Sequence, residues 1–272
     1  LTGVPETLLI PLWARAAETR MATSRWPGAP PRPIIRDDKA VEILRQIDYD
    51  FDRFAKARLT QLGVAVRTML FDVATQAFLA RHPEACVINL GAGLDTRHER
   101  LECDERVCWH ELDLPESLEL RGCFFEQREG YRFITRSIFD EAWMDEVSDE
   151  GRPVLIIAEG LFMYFEEGEL RPFVARMAER FPGAELLVEL LGPALVGRAK
   201  RHDSLKKMEN APEFKWGTAK PETMASWHPN IEYVEQWRYF DYHKRRAGLL
   251  GLLVRFPPLR KRIESRIARL RF

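Results

Sequence analysis

The sequence predicts an α/β protein: a mostly parallel, doubly wound sheet with helices on both faces and a helical segment ahead of it. Three observations carry that expectation. Between residues 84 and 191, short apolar runs alternate with helix-length spacers, the rhythm of β–α–β units. The first run ends in Gly91-Ala92-Gly93 and the second in Asp113, as suits a ligand held at the carboxyl ends of parallel strands. Residues 1–83 lack this alternation and carry apolar side chains at helical spacing.

Residues 1–83 read as a helical cap, interrupted by a Pro-rich loop from Trp26 to Pro33. From Asp50 onward, Phe51, Phe54, Leu59, Leu62, Val66, Leu70, Val73 and Ala77 recur largely at three- and four-residue steps. One or two helices before His82-Pro83 fit them. Cys86–Leu90, Val107–Leu112, Arg132–Thr135, Val154–Ala158 and Leu186–Leu190 read as strands. Glu169–Phe181 is a helix stopped by Pro182-Gly183. Residues 192–231 are polar and rich in Lys, Pro and Trp. They are long for a loop and read as a substrate-facing insertion before the last two strands. Strand texture returns at Ile231–Trp237, and Pro258 to about Ser265 reads as a helix. In the final strand Ala268, Leu270 and Phe272 alternate with Arg269 and Arg271. The expected division is a cap over residues 1–83 and a catalytic-type α/β domain over 84–272 carrying the insertion.

Composition narrows the function. Hydrophobic residues make up 46% of the 272, and 41 basic side chains face 42 acidic ones, so no nucleic-acid partner is expected. The longest apolar run, Ala247–Val254, is too short to span a bilayer. The N-terminal segment lacks a basic lead and an A-x-A site, so no secretory signal is expected. Cys86, Cys103, Cys108 and Cys123 form no C-x-x-C pair. They read as structural thiols of a reduced, cytoplasmic protein without a metal site.

Gly91 and Gly93 would let the backbone approach a ligand closely, but Thr96 stands where a dinucleotide fingerprint has its third glycine. Asp113, ending the second strand, suits the hydroxyls of an adenosine ribose and fits NAD and S-adenosylmethionine equally. Charge separates the two. Asp95 and Glu159 near a cleft would repel a diphosphate and suit a ligand with an ammonium and a sulfonium. A helix N-cap is an equally good reading of Asp95.

With these residues in view, the sequence resembles the leucine carboxyl methyltransferase family, in its bacterial branch of tetracenomycin-type polyketide O-methyltransferases. The resemblance covers most of the chain. It includes Thr7-Leu-Leu with Arg15-Ala16, Asp48-Tyr-Asp-Phe51, and Arg67-Thr68 with Asp72. It is strongest in Leu90-Gly-Ala-Gly-Leu-Asp-Thr-Arg97 and Glu159-Gly-Leu-Phe-Met-Tyr-Phe165. It implies a class I, Rossmann-like methyltransferase fold with S-adenosylmethionine as cofactor. By the same resemblance Arg67 pairs with the methionine carboxylate, and Gly91, Ala92 and Gly93 line the methionine side. Asp113, with Leu114 beside it, holds the ribose; Ser137 and Ile138 lie along the adenine, where many relatives have Asp-Leu. Glu159, with Gly160, faces the cofactor's amino group, while Asp140 and Trp143 open a structural helix.

The acceptor is less legible. A carboxylate is already anionic at neutral pH and needs no base, whereas a phenol usually does. Tyr164, just beyond the fourth strand, is the foremost acceptor-side candidate, followed by Arg97, His98, Arg15 and His228. Phe214, Trp216 and Trp227 would suit a flat aromatic acceptor. The expected activity is O-methylation of a carboxyl group on a small polyketide-like or aromatic molecule. Phenol methylation, an NAD-dependent oxidoreductase and a non-catalytic adenosyl-ligand binder stand as alternatives. From Arg255 to Phe272 seven basic residues accompany one acidic, Glu264. That run reads as the solvated face of a terminal helix and strand, with an acidic partner or anionic lipid as the other option.

Overall fold

The computed structural model describes residues 6–21, 33–199, 204–205 and 212–272. Residues 26–32 of the Pro-rich stretch, and 200–203 and 206–211 of the insertion, lie outside them. Five strands run parallel: β1 (Cys86–Leu90), β2 (Cys108–Asp113), β3 (Tyr131–Thr135), β4 (Val154–Ala158) and β5 (Glu185–Leu190). Two more follow, β6 (Glu232–Arg238) and β7 (Arg266–Arg271). The sheet order is β3-β2-β1-β4-β5-β7-β6, with β7 antiparallel to both neighbours. Each strand matches its sequence expectation to within one residue at either end. The order reverses between β1 and β4, and in a doubly wound sheet that switch point opens a crevice at the strands' carboxyl ends.

Both faces are covered, so β1 and β4 are buried at every residue, as parallel strands between helical layers must be. On one face lies α7 (Glu167–Arg180), started by a reciprocal capping box between Glu166 and Glu169. It buries Leu170, Phe173, Val174 and Met177 against Ile88, Leu90, Ile156 and Val188. The other face receives the N-terminal helices α1 (Leu9–Met21), α2 (Asp38–Gln46) and α3 (Arg58–Arg81). Asp37 caps α2 by accepting the Ala40 N–H at 2.8 Å. Leu62, Val66, Leu70, Phe71 and Phe78 of α3 pack with Val87, Trp109 and Leu155 of the sheet.

The expected helical stripe holds at Leu62, Val66 and Leu70 but not at its flanks. Leu59 and Val73 are 48% and 59% exposed, because a straight helix rotates them away from the sheet while Phe71 and Phe78 take their turns. Among the described residues α3 is the one helix long and apolar enough to cross a membrane by length and composition. Its contacts are those of a core helix. The insertion is corrected in part: Met224 and Trp227 sit in the core beside α7 rather than over a cleft.

Candidate active site

After β1 the chain turns at Gly91, whose φ is +65° and where a Cβ would meet Leu161 Cδ1 at 2.8 Å. The positive φ calls for glycine, and a side chain there would also make Leu161 move aside. The turn is pinned to β2: Gly91 and Ala92 donate N–H bonds to the Leu112 carbonyl at 2.8 and 3.1 Å. Gly93 donates to Asp113 Oδ2 at 2.7 Å, and Leu114 donates to Asp113 Oδ1 at 2.7 Å. Each oxygen of that carboxylate therefore holds one backbone N–H and keeps acceptor capacity for another donor. Burial pushes the Asp113 carboxyl above its ordinary range, against the pull of the two N–H groups, the Ser117 hydroxyl and Arg121.

A second group forms where β4 and β5 end. Arg67 of α3 reaches Glu159 through Nε at 2.7 Å and Glu189 through Nη1 at 3.1 Å. Glu189 also accepts the Gly160 N–H and the Tyr239 hydroxyl, each at 2.7 Å. Gly160 has φ +65°, and its bare Cα lets Arg67 Nη1 approach to 3.3 Å of where a Cβ would stand. Sequence reasoning missed Glu189; its one signal is a carboxylate near the carboxyl end of a buried strand whose other polar residue, Glu185, opens it.

Between the two groups lies a lattice of buried charge. Arg97, in the short helix α4 (Arg97–Arg100), is 1% exposed. It binds Asp72 at 2.9 Å, Asp95 at 2.5 Å and Glu159 at 2.5 Å. Arg100 joins Asp72 to Asp37, and Arg15 joins Asp37 to the Leu94 carbonyl. Below the glycine turn Arg121, in α5 (Pro115–Gly122), donates to the carbonyls of Gly93 and Asp95 at 3.0 and 2.8 Å. Burial alone would raise the Asp95 and Glu159 carboxyls. The guanidinia outweigh it: Arg97 and Arg100 hold Asp95, and Arg67 and Arg97 hold Glu159, below the usual carboxylate range. Both anions are thus matched within the protein. Asp95 in particular is turned onto Arg97, so it does not face the crevice as a free anion that would repel a diphosphate. Nor is it the α4 N-cap, a position held by Thr96, although Asp95 Oδ1 does accept the Arg97 N–H at 3.1 Å.

The leucine carboxyl methyltransferase family profile matches residues 10–178. The tetracenomycin polyketide synthesis O-methyltransferase TcmP of Streptomyces glaucescens is 36% identical, over 89% of this chain and 85% of its own. The chain belongs to the leucine carboxyl methyltransferase family. An S-adenosyl-L-methionine-dependent methyltransferase of Gibberella zeae, dpfgK, is 28% identical, over 94% of this chain and 89% of its own. A Thermobifida fusca crystal structure described as a methyltransferase shares the fold, with a TM-score of 0.51 at 16% identity over 95% of this chain and 93% of its own.

In this member of the family, the structure brings most of the expected residues to one end of the sheet. Gly91, Ala92, Gly93, Asp113 and Leu114 form one side, and Arg67, Glu159 and Gly160 the other. The Arg136 N–H donates to the Asp113 carbonyl at 3.1 Å, which draws Ser137 and Ile138 to the same end. Ser137 is exposed. Ile138 is only 6% exposed and packs with Trp143 of α6 (Ala142–Glu146), whose Nε1 donates to the Ile138 carbonyl at 2.9 Å. Leu114, 46% exposed, offers a ligand far more apolar surface than Ile138 does.

The acceptor-side candidates divide. Tyr164 lies at the same end, its ring 5.8 Å from Phe214, and burial pushes its hydroxyl up to about 12. Arg15 and Arg97 are tied into the charge lattice. His98 is buried between Trp109 and Tyr131, with ring centroids at 5.5 and 4.5 Å. His228 lies 3.7 Å from Glu179 in the last turn of α7. That turn faces the start of β5, the opposite end of the sheet, so His228 is no base for this crevice. Trp216 packs against Trp227, ring centroids 5.6 Å apart and tilted, and donates to Glu167 at 3.1 Å, a packing role for both. One cluster escaped sequence reading. Parallel pairing sets Cys86 beside Cys108, whose Sγ is 3.3 Å from His110 Nε2. These positions belong to the beginnings of β1 and β2, away from the glycine turn.

Proposed function

We propose that the chain is an S-adenosylmethionine-dependent O-methyltransferase that acts on the carboxyl group of a small, polyketide-like or aromatic acceptor. Within a family of methyltransferases, one observation carries the cofactor site: Asp113, with one backbone N–H on each oxygen beside the glycine turn. Two carboxylate oxygens that each retain acceptor capacity, beside their backbone N–H groups and the neighbouring Ser117 hydroxyl, match the two hydroxyls of a ribose.

The cofactor, S-adenosylmethionine, supplies a methyl carbon bonded to a positively charged sulfur. The protein's own residues bind and orient. Asp113 accepts the ribose hydroxyls, and the backbone of Gly91–Gly93 borders the methionine side. Leu114, with Ser137 and Ile138, borders the adenine. Arg67 has Nε and Nη1 engaged by Glu159 and Glu189, while its Nη2 has no partner among the described residues. That nitrogen is available to a carboxylate. Glu159, bound on both oxygens, still has acceptor capacity for an ammonium. Tyr164 is assigned to acceptor contact. With its hydroxyl pushed up to about 12, it donates a hydrogen bond near neutral pH and does not act as a base.

The carboxyl preference rests on the absence of a needed base at His98 or His228 and on the similarity to TcmP, itself named for O-methylation in polyketide synthesis. A carboxylate already carries the electron pair that forms the new O–CH₃ bond, so alignment and exclusion of water suffice. The test is transfer of labelled methyl to a panel of aromatic acids and phenols, followed by alkali. Methyl esters release their label as methanol, and phenyl ethers keep it. Label that survives alkali overturns the carboxyl assignment. Calorimetric binding of NAD without binding of S-adenosylhomocysteine would overturn the cofactor.

A further inference from the structure

Residues 242–263 hold seven Lys and Arg and no Asp or Glu, in a chain whose net charge is −1. The segment contains two short helices, α8 (Leu249–Leu253) and α9 (Pro257–Ile263). Some of its cations are engaged: Arg246 by Glu18, Arg260 by Glu264 and Asp241, and Lys244 by Asp241 at 3.7 Å. Arg245, Arg255, Lys261 and Arg262 are exposed and form no ion pair among the described residues. With Arg238, Lys244, Arg260, Val254 and Pro257, the side chains of Arg255 and Lys261 line a pocket of about 410 Å³. Five cations and no carboxylate line it.

Beside this pocket the chain exposes apolar side chains that the fold does not use. Leu252, Leu253 and Phe256 are 54%, 49% and 63% exposed. They are three of the six large hydrophobic side chains exposed among the described residues, gathered within five positions of sequence. The segment also shares an end of the sheet with the candidate active site. β6 runs parallel to β5 and ends at Arg238, and the next residue, Tyr239, bonds Glu189.

We propose that this surface docks on an anionic phospholipid bilayer, with lipid phosphate in the pocket and Leu252, Leu253 and Phe256 in the acyl layer. Unpaired cations beside protruding apolar side chains are the two components that interfacial binding needs. Half-exposed apolar side chains fit a fluid layer that closes around them; an acidic protein partner would have to supply a pocket for them. The proposal does not depend on the assignment of the cofactor site.

The test is sedimentation of the full chain with vesicles of phosphatidylcholine alone and of phosphatidylcholine mixed with phosphatidylglycerol. Binding to the mixed vesicles and not to the neutral ones is expected. Arg255→Ala with Lys261→Ala should weaken it by about 25-fold, at roughly fivefold per cation. The combined variant Leu252→Ser, Leu253→Ser, Phe256→Ser should also lower binding at least about tenfold, since each removes buried chain length from the lipid. Both variants change exposed side chains, and unaltered thermal melting shows that they fold. Equal binding to both vesicle types, or variants that bind as well as the parent, overturns the proposal. So does full displacement by inorganic phosphate, which would make the pocket a site for the free ion. Binding to polyglutamate without binding to anionic vesicles would assign the surface to an acidic polypeptide instead.

Discussion

Replacing Asp113 by Asn probes the cofactor site with the least change of shape. The amide has one acceptor oxygen where the carboxylate has two, and its NH₂ must face either the Gly93 N–H or the Leu114 N–H. Both now approach to 2.7 Å, so a donor is set against a donor at one of them. A ribose bound through both oxygens would lose one charge-assisted acceptor outright and the charge on the other. At about 1.5–3 kcal/mol for each hydrogen bond to a charged group, a net loss of about 3 kcal/mol is expected. That corresponds to roughly 100-fold weaker binding. Calorimetry with S-adenosylhomocysteine reads it directly. A second ligand, the 2′-deoxy analogue, separates direct contact from a shifted glycine turn: it should bind the parent more weakly, yet bind Asp113→Asn nearly as well as the full ribose does. A loss of less than about fivefold in Asp113→Asn, with the fold intact, would refute the ribose assignment. Equal sensitivity of both proteins to the 2′-hydroxyl would refute direct contact.

Three other outcomes follow from the same geometry. Arg97→Met leaves Asp72, Asp95 and Glu159 without their shared guanidinium and should cost about 3–5 kcal/mol in urea unfolding; a cost under about 1 kcal/mol would mean the lattice adds little. Because Arg97 holds Asp95 and Glu159 below their ordinary range, their stabilisation is present at neutral pH and lost as pH falls through the folded-state values. Without Arg97 those carboxyls titrate higher, so the gap between parent and variant should narrow from pH 7 downward; a constant gap would show that these carboxylates are not the cause. Gly91→Ala combines a positive φ with a 2.8 Å contact to Leu161 and should cost about 1–3 kcal/mol, with weaker S-adenosylhomocysteine binding; a neutral substitution would mean the turn relaxes freely. Finally, with a carboxylate acceptor and the Tyr164 hydroxyl pushed up to about 12, turnover should be nearly flat between about pH 6 and 9. A steep rise over that range would require a titrating base.

The sheet was legible because its strands are short apolar runs with clear turn signals, and buried parallel strands can be read as runs without alternation. Asp113 was legible for a similar reason: a carboxylate that ends a buried strand has few places to go but the strand-end crevice. The ion lattice was not legible. Asp37, Asp72, Asp95 and Glu159 are spread over 123 positions of sequence, and only the packing of α3 and α4 on the strand ends brings them to shared arginines. Arg67 is the sharper case. On a helix alone it would be taken as exposed; its burial depends on Glu159 and Glu189, residues 92 and 122 positions away. The same applies to Cys86 and Cys108, which no spacing rule joins and one parallel register does.

The lattice also explains why the most recognisable stretches of this chain lie far apart in sequence. Arg15 in α1, Asp72 in α3, Thr96 and Arg97 after the glycine turn, and Glu159 after β4 are parts of one connected set of hydrogen bonds. Removing any one member leaves a buried charge with an incomplete shell, which costs more than the pair itself contributes. The set therefore acts as a unit that ties α1, α2 and α3 to the floor of the crevice. Arg121 completes it by holding the carbonyls of Gly93 and Asp95 from below. In a Gly-x-x-x-x-Gly-Lys loop, the backbone N–H groups wrap a phosphate and are organised by it. Here the turn is held by Leu112, Asp113 and Arg121 instead, so it can be shaped before any ligand arrives. A turn that needs no anion to order it is consistent with a cofactor bound through a ribose and an amino-acid end rather than through a diphosphate.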